Sequence, residues 1–147
     1  MELQEAVTIL LVEDDPGHAV LIEKNLRRGG IANAIVAVDD GQKAVDFLLK
    51  RNGYQDDTHS TPLVILLDLN LPVLDGYQVL KIIKNDEHTK NIPVIILTTT
   101  DNPAEVAKCY ELGCNVYVTK PVEYEAFSRA IQNLGLLLSI IKVPNKE

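Results

Sequence analysis

The chain has 147 residues, 46% hydrophobic and 24% charged, with a formal net charge of −7 at pH 7. That length forms one domain with an ordinary core that needs no disulfide staples. The acidic balance, without a basic patch interleaved with aromatics, argues against nucleic-acid binding. No apolar run approaches the ~18 residues of a membrane span, and the acidic start "MELQEAV" lacks the basic and apolar regions of a secretory signal. A cytoplasmic protein that meets neither membrane nor nucleic acid is expected.

Short apolar runs alternate with amphipathic stretches along the whole chain. "VTILLV" (7–12) has the length and continuous apolarity of a buried strand. Asp15 then suits an N-cap, Pro16 the first helical turn, and Gly29–Gly30 the helix end. "NAIVAV" (33–38) predicts a second strand and "GQKAVDFLLKR" a second helix. The stretch "RNGYQDDTHSTP" (51–62) is polar, rich in turn formers and longer than most helix-to-strand connections. "LVILL" (63–67) is the third strand, and "DGYQVLKIIKN" the third helix, with Tyr77, Leu80, Ile83 and Lys84 at helical spacing. "IPVIILTT" (92–99) is the fourth strand, and Asn102–Pro103 repeats the cap signal before "AEVAKCYELG", which Gly113 stops. "NVYVTK" is the fifth strand and "EYEAFSRAIQNLGLLLSIIKV" the last helix. Five such units imply one parallel sheet covered by helices on both faces. Cys109 and Cys114 lie five apart with no histidine nearby, which fits reduced structural thiols better than a zinc site.

In an open parallel sheet, ligands bind just beyond the carboxyl ends of the strands. The first strand delivers Glu13, Asp14 and Asp15 to that edge, and the third delivers Asp68 with Asn70 two residues on. The fourth contributes Thr98, Thr99 and Thr100, and the fifth ends at Lys120 before Pro121. Crowded carboxylates repel, and a hard cation such as Mg²⁺ relieves them. Asp14 and Asp68 can ligate directly, Glu13 through water, and the backbone carbonyl of Asn70 can close the shell. With Asp68 as nucleophile the product is an aspartyl phosphate. Lys120 would offset phosphoryl charge, and Thr98 would donate a hydrogen bond.

"ILLVEDDP", "LLDLNLPVLDG", "PVIILTT" and "ELGCNVYVTKP" resemble, in order and over nearly the whole chain, the motifs of response regulator receiver domains. The resemblance implies a flavodoxin-like α/β fold with a doubly wound five-stranded parallel sheet of order 2-1-3-4-5. It makes Asp68 the phosphoacceptor and Glu13, Asp14 and Asn70 the metal pocket. Thr98 becomes the hydroxyl switch, Tyr117 its aromatic partner and Lys120 the phosphate-contacting lysine, with a cis Lys120–Pro121 bond. The implied function is a single-domain response regulator that takes a phosphoryl group from a histidine kinase, assisting its own phosphorylation without being an enzyme. No histidine here resembles that of a kinase. His18 is placed at the rim of the acidic edge, and His59 and His88 at the surface.

Output would run through contact. In the last helix (about 124–143), Phe127, Ile131, Leu134, Leu138 and Ile141 form one apolar stripe. Leu136, Leu137, Ile140 and Val143 are left over, which points to a homodimer using this helix with the fourth helix and fifth strand. The long insertion and the apolar last helix are similar to stand-alone regulators paired with phytochrome-type kinases. The rivals are a Mg²⁺-dependent phosphatase of the haloacid dehalogenase type, which wants a second aspartate where Asn70 stands, a degenerate receiver acting as a binding module, and a flavodoxin, whose phosphate the acids of "EDDPGH" would repel.

Overall fold

In the computed structural model, residues 8–28, 33–50, 63–99 and 102–119 are described. Five parallel strands, β1 (Thr8–Val12), β2 (Ile35–Val38), β3 (Leu63–Leu67), β4 (Val94–Thr98) and β5 (Val116–Thr119), form one sheet of order β2-β1-β3-β4-β5. The helices are α1 (Pro16–Arg28), α2 (Gly41–Leu49), α3 (Gly76–Lys84) and α4 (Pro103–Glu111). The order expected from the sequence is the one observed. The second strand starts two residues later than its apolar pattern suggested, at Ile35, because only from there does it pair with β1.

The strand period of two divides the core between the faces of the sheet. Ile9, Leu11, Val64, Leu66, Ile95 and Leu97 point to one face and pack with Ile22 and Leu26 of α1. Leu10, Val12, Ile65, Leu67, Val94 and Ile96 point to the other, against Val45 and Phe47 of α2, Val79, Leu80 and Ile83 of α3, and Cys109 of α4. Strands buried on both faces have to be continuously apolar, and runs without alternation such as "LVILL" in β3 follow from that.

The helix starts are capped as their sequences dictate. Asp15 accepts from the amides of Gly17 (2.8 Å) and His18 (3.1 Å), and Asn102 accepts from Ala104 (2.8 Å) ahead of Pro103. Asp75 and Gln78 form a reciprocal capping box at α3. Two glycines are required by close backbone approach. A Cβ on Gly41 would lie 2.0 Å from the Leu74 carbonyl oxygen, and one on Gly76 would lie 2.5 Å from that of Asp68. The expected insertion (51–62) and last helix (124–143), with Leu136, Leu137, Ile140 and Val143, lie outside the described residues, as do Lys120 and its bond to Pro121.

Candidate functional site

The acidic corner is built where β1 and β3 end side by side. Val12 pairs with Leu67, and the ladder continues one step further: the Asp68 amide donates to the Val12 carbonyl at 3.1 Å. On the opposite side, the Glu13 amide donates to the Val38 carbonyl at 3.1 Å. Glu13 and Asp68 are therefore fixed by backbone bonds to neighbouring strands, and both are buried, at 4% and 5% exposure. Asp14, next along the chain, is exposed. Glu13, Asp14 and Asp68 each present a carboxylate oxygen, and those oxygens lie within 4.8 Å of one another.

Local hydrogen bonds aim the acids. The Asp15 amide donates to Glu13 Oε2 at 3.1 Å, and the Asn70 amide donates to Asp68 Oδ1 at 3.1 Å. His18 Nδ1 stands 3.9 Å from Glu13 Oε2, and its Nε2 stands 4.0 Å from Asp15 Oδ2. His18 is thus at the rim, as its place in the first turn of α1 suggested. Two ionised carboxylates at this separation repel by roughly 3 kcal/mol at the effective dielectric of a protein. All the donors are hard oxygens, the set that suits a hard divalent cation.

The turn after Asp68 is held tightly. Leu69 buries its side chain and its carbonyl accepts from the Gly76 amide at 2.9 Å. Val73, at the exposed tip, adopts φ 71°, a left-handed conformation costly for a β-branched residue. Beside the acids, a groove of about 420 Å³ runs between Glu13, Asp14, Pro16 and Ala19 on one wall and Ala37, Val38, Asp39 and Lys43 on the other. Lys43 Nζ pairs with Asp39 Oδ1 at 2.7 Å. The hydrogen bond and the charge of Lys43 hold the Asp39 carboxyl below its usual range.

Across the sheet, β4 carries Thr98 to the same edge. Its side chain is fully buried, and its hydroxyl has no hydrogen-bond partner among the described residues. A buried orphan hydroxyl is uncommon and costly, so its position asks for an acceptor. Tyr117, on edge strand β5, is half-buried and packs at the border of the core beneath α4. The structure brings Glu13, Asp14, Asp68 and Asn70 together and sets Thr98 at the adjoining strand end; Lys120 lies outside the described residues.

Sequence patterns did not disclose a polar link between α3 and α4. Tyr77 Oη donates to Glu105 Oε1 at 2.6 Å, and Lys108 Nζ lies 4.5 Å from the centroid of the Tyr77 ring. Burial, and then the Glu105 acceptor, raises the Tyr77 phenol above its ordinary range, so it remains a donor. The only cue was two short helices with polar residues in matching first turns, and nothing local pairs them.

Residues 9–132 match the family model of the response regulator receiver domain. The chain belongs to that family. It is a receiver domain of the two-component type, a module of phosphorelay signalling. A receiver domain from Rhodospirillum rubrum, solved by crystallography, is 49% identical; the match covers 96% of this chain and 99% of that one, with a TM-score of 0.77. The bacteriophytochrome response regulator RtBRR is 40% identical over 88% of this chain and 78% of its own, with a TM-score of 0.78. Response regulator Rcp1 of Synechocystis sp. is 37% identical over 86% of this chain and 84% of its length. A structure of an Mn²⁺-bound Rcp1 superposes with a TM-score of 0.79, covering 95% of this chain and 99% of that one at 34% identity.

Proposed function

We propose that Asp68 is the phosphoacceptor of this receiver, and that Glu13, Asp14 and Asp68, with the Asn70 carbonyl, hold a Mg²⁺ ion. The observation that carries it is the trio of carboxylates from two adjoining strand ends, with oxygens within 4.8 Å, two of them buried. When bound, the cation neutralises charge on the carboxylates and on the phosphoryl oxygens. An Asp68 carboxylate oxygen attacks the phosphorus of a kinase phosphohistidine. The P–O bond forms as the P–N bond breaks, and the imidazole leaves with the electron pair and takes a proton from water. The position two residues beyond the nucleophile is Asn70, which cannot serve as a general acid, so the chain acts as an acceptor rather than a turnover phosphatase.

Thr98 supplies its hydroxyl, unpartnered among the described residues, to a phosphoryl oxygen, and Lys120 an ammonium to another. Tyr117 follows Thr98 inward, and the shifted population is the signal. Likeness to regulators named for bacteriophytochromes supports a phytochrome-type histidine kinase as the donor. We read residues 1–147 as a single cytoplasmic receiver domain that pairs as a homodimer through α4, the edge strand β5 and the apolar residues Leu136, Leu137, Ile140 and Val143. Among the described residues, no helix is long and apolar enough to cross a membrane.

The test is intact mass after incubation with acetyl phosphate, with and without Mg²⁺, for wild type and Asp68→Asn. The expected result is a Mg²⁺-dependent gain of one phosphoryl group, absent in the variant. A wild-type chain that gains none, or a variant that gains as much, would sink the assignment. Sizing the same samples tests the dimer: an unchanged monomer at all concentrations removes it.

A further inference from the structure

The turn after Asp68 doubles back through a conformation that its sequence does not favour. The Leu74 amide donates to the Pro72 carbonyl, two residues back, at 2.8 Å, and Val73 between them has φ 71°. That is a γ-turn of the rare, strained hand, centred on an exposed β-branched residue. Strained backbone persists only where its surroundings over-determine it. Here the surroundings are the start of α2.

Gly41 opens α2, and its amide is one of the donors that a helix leaves unpaired at its first turn. That amide donates to the same Pro72 carbonyl at 3.3 Å. The two backbones meet so closely that a Cβ on Gly41 would stand 2.0 Å from the Leu74 carbonyl oxygen and 2.8 Å from Leu74 Cβ. α2 is a firm support: five of its nine residues are buried, Gly41 among them, and Val45 and Phe47 belong to the core. Asp40 caps it, accepting from the Lys43 amide at 2.7 Å.

Few soft torsions separate this contact from the acidic corner. The ring of Pro72 holds φ at about −65°. A residue before proline is driven to extended backbone, which restricts Leu71, itself packed against the core. Asn70 is held from the other end, its amide donating to Asp68 Oδ1 at 3.1 Å. The Asn70 carbonyl thus lies two stiff residues from a carbonyl that Gly41 grips.

We propose that Gly41 is a positioning residue for the cation site: its backbone contact with Pro72 and Leu74 holds the strained turn at Val73, and through that turn sets the Asn70 carbonyl where a Mg²⁺ ion needs it. This rests on the reading of Glu13, Asp14, Asp68 and Asn70 as the metal ligands. Mg²⁺ demands near-ideal octahedral geometry, so a carbonyl displaced by a relaxed turn costs affinity even when the carboxylates stay in place.

The test is calorimetric titration of the full, folded chain with Mg²⁺, beside the urea midpoint of the metal-free chain. Gly41→Ala drives a methyl into the turn, and Val73→Pro forbids φ 71° from the solvent side. Both are expected to bind Mg²⁺ about tenfold more weakly, the effect of losing support behind a metal ligand. Val73→Gly, the conservative variant, takes that φ without strain and should retain the affinity. Gly113→Ala is the control: φ 108° strains an alanine there, at the start of β5 and so at the opposite edge of the sheet. It should lower the urea midpoint and leave Mg²⁺ affinity unchanged.

Wild-type affinity in either Gly41→Ala or Val73→Pro overturns the role of Gly41. So does an equal loss in Gly113→Ala, which would mark general destabilisation, or in Val73→Gly, which would mean that the valine side chain matters rather than its φ. Should Gly41→Ala not fold, Val73→Pro decides, since Val73 is 72% exposed and buries little. If wild type binds no Mg²⁺, the reading of the metal site falls and takes this proposal with it; if wild type binds and the variants match it, only the Gly41 proposal falls.

Discussion

The two corners of this site are held by different physics. At the acidic corner, Glu13 and Asp68 continue the β ladder, each bonded through its own amide to the neighbouring strand. The turn beyond Asp68 is pinned by Gly76, where there is no room for a Cβ. At the other corner, Thr98 is buried without a partner among the described residues, and the helix that follows has one buried residue and a polar tether. Under the proposed assignment, a preorganised charge site and an adjustable reporter would be adjacent strand ends of one sheet. Carboxylates that must meet a cation gain from rigidity, because reorganisation would cost affinity. A reporter that moves needs two arrangements of similar free energy.

The contrast breaks most severely at Gly76. Gly76→Ala drives a methyl against the Asp68 carbonyl and Leu69 Cα, at 2.5 Å from each. Overpacking against backbone is expected to cost about 3 kcal/mol. A lower urea midpoint at unchanged slope measures it, and phosphorylation by acetyl phosphate should slow in parallel because Asp68 is displaced. A variant as stable as wild type would show that the acidic corner is less rigid than its packing implies.

Thr98→Val acts on the adjustable corner with the opposite sign. The substitution replaces a buried hydroxyl that lacks a partner among the described residues with a methyl of similar shape. Stability is expected to rise by about 1 kcal/mol, read from the urea midpoint, while phosphorylation of Asp68 by acetyl phosphate is expected to slow, because the hydroxyl proposed to meet the phosphoryl oxygen is gone. Destabilisation of similar size would mean the hydroxyl is already satisfied.

The smallest effect concerns the far end of α4. Burial, and secondarily the neighbouring Cys109, pushes the Cys114 thiol up to about 11 from an ordinary value of 9.0. Cys109 is raised too, chiefly by burial. Between pH 9 and 11 the folded chain therefore holds a proton that the unfolded chain has released, so this thiol's contribution to stability falls as pH rises through that window. Lys84, lowered by burial, works the other way; comparing wild type with Cys114→Ala isolates the thiol. The stability difference between the two should be constant below pH 9 and shrink toward pH 11. A difference flat across the window would show an accessible thiol. At neutral pH both thiols should resist alkylation, being protonated and buried.

Much of this was written in local sequence. Short apolar runs, such as "LVILL" in β3 and the "VIIL" of β4, read by their length as strands buried on both faces. Asp15 and Asn102–Pro103 mark helix starts through their own chemistry. Strand alternation and the right-handed crossover then carried Asp14, Asp68 and Thr98 to one edge before any coordinates were needed. The strand order 2-1-3-4-5 came from likeness to a family, because pairing preferences among equally apolar strands are not local.

Tertiary structure alone decided the rest. Glu13 and Asp14 are consecutive acids, yet one is buried beside Asp68 and the other is in solvent; the side-chain alternation of the strand end and the seat of β2 beside it chose between them. Val73 takes a left-handed conformation that no residue preference would assign to valine, because the turn from Asp68 to the capped start of α3 dictates its path. Tyr77 finds Glu105 across 28 residues of chain, a contact set by how two helices share one face of the sheet. Local sequence fixes what a segment can form and which edge it reaches. Burial and pairing between distant segments depend on packing, and packing is a property of the assembled sheet.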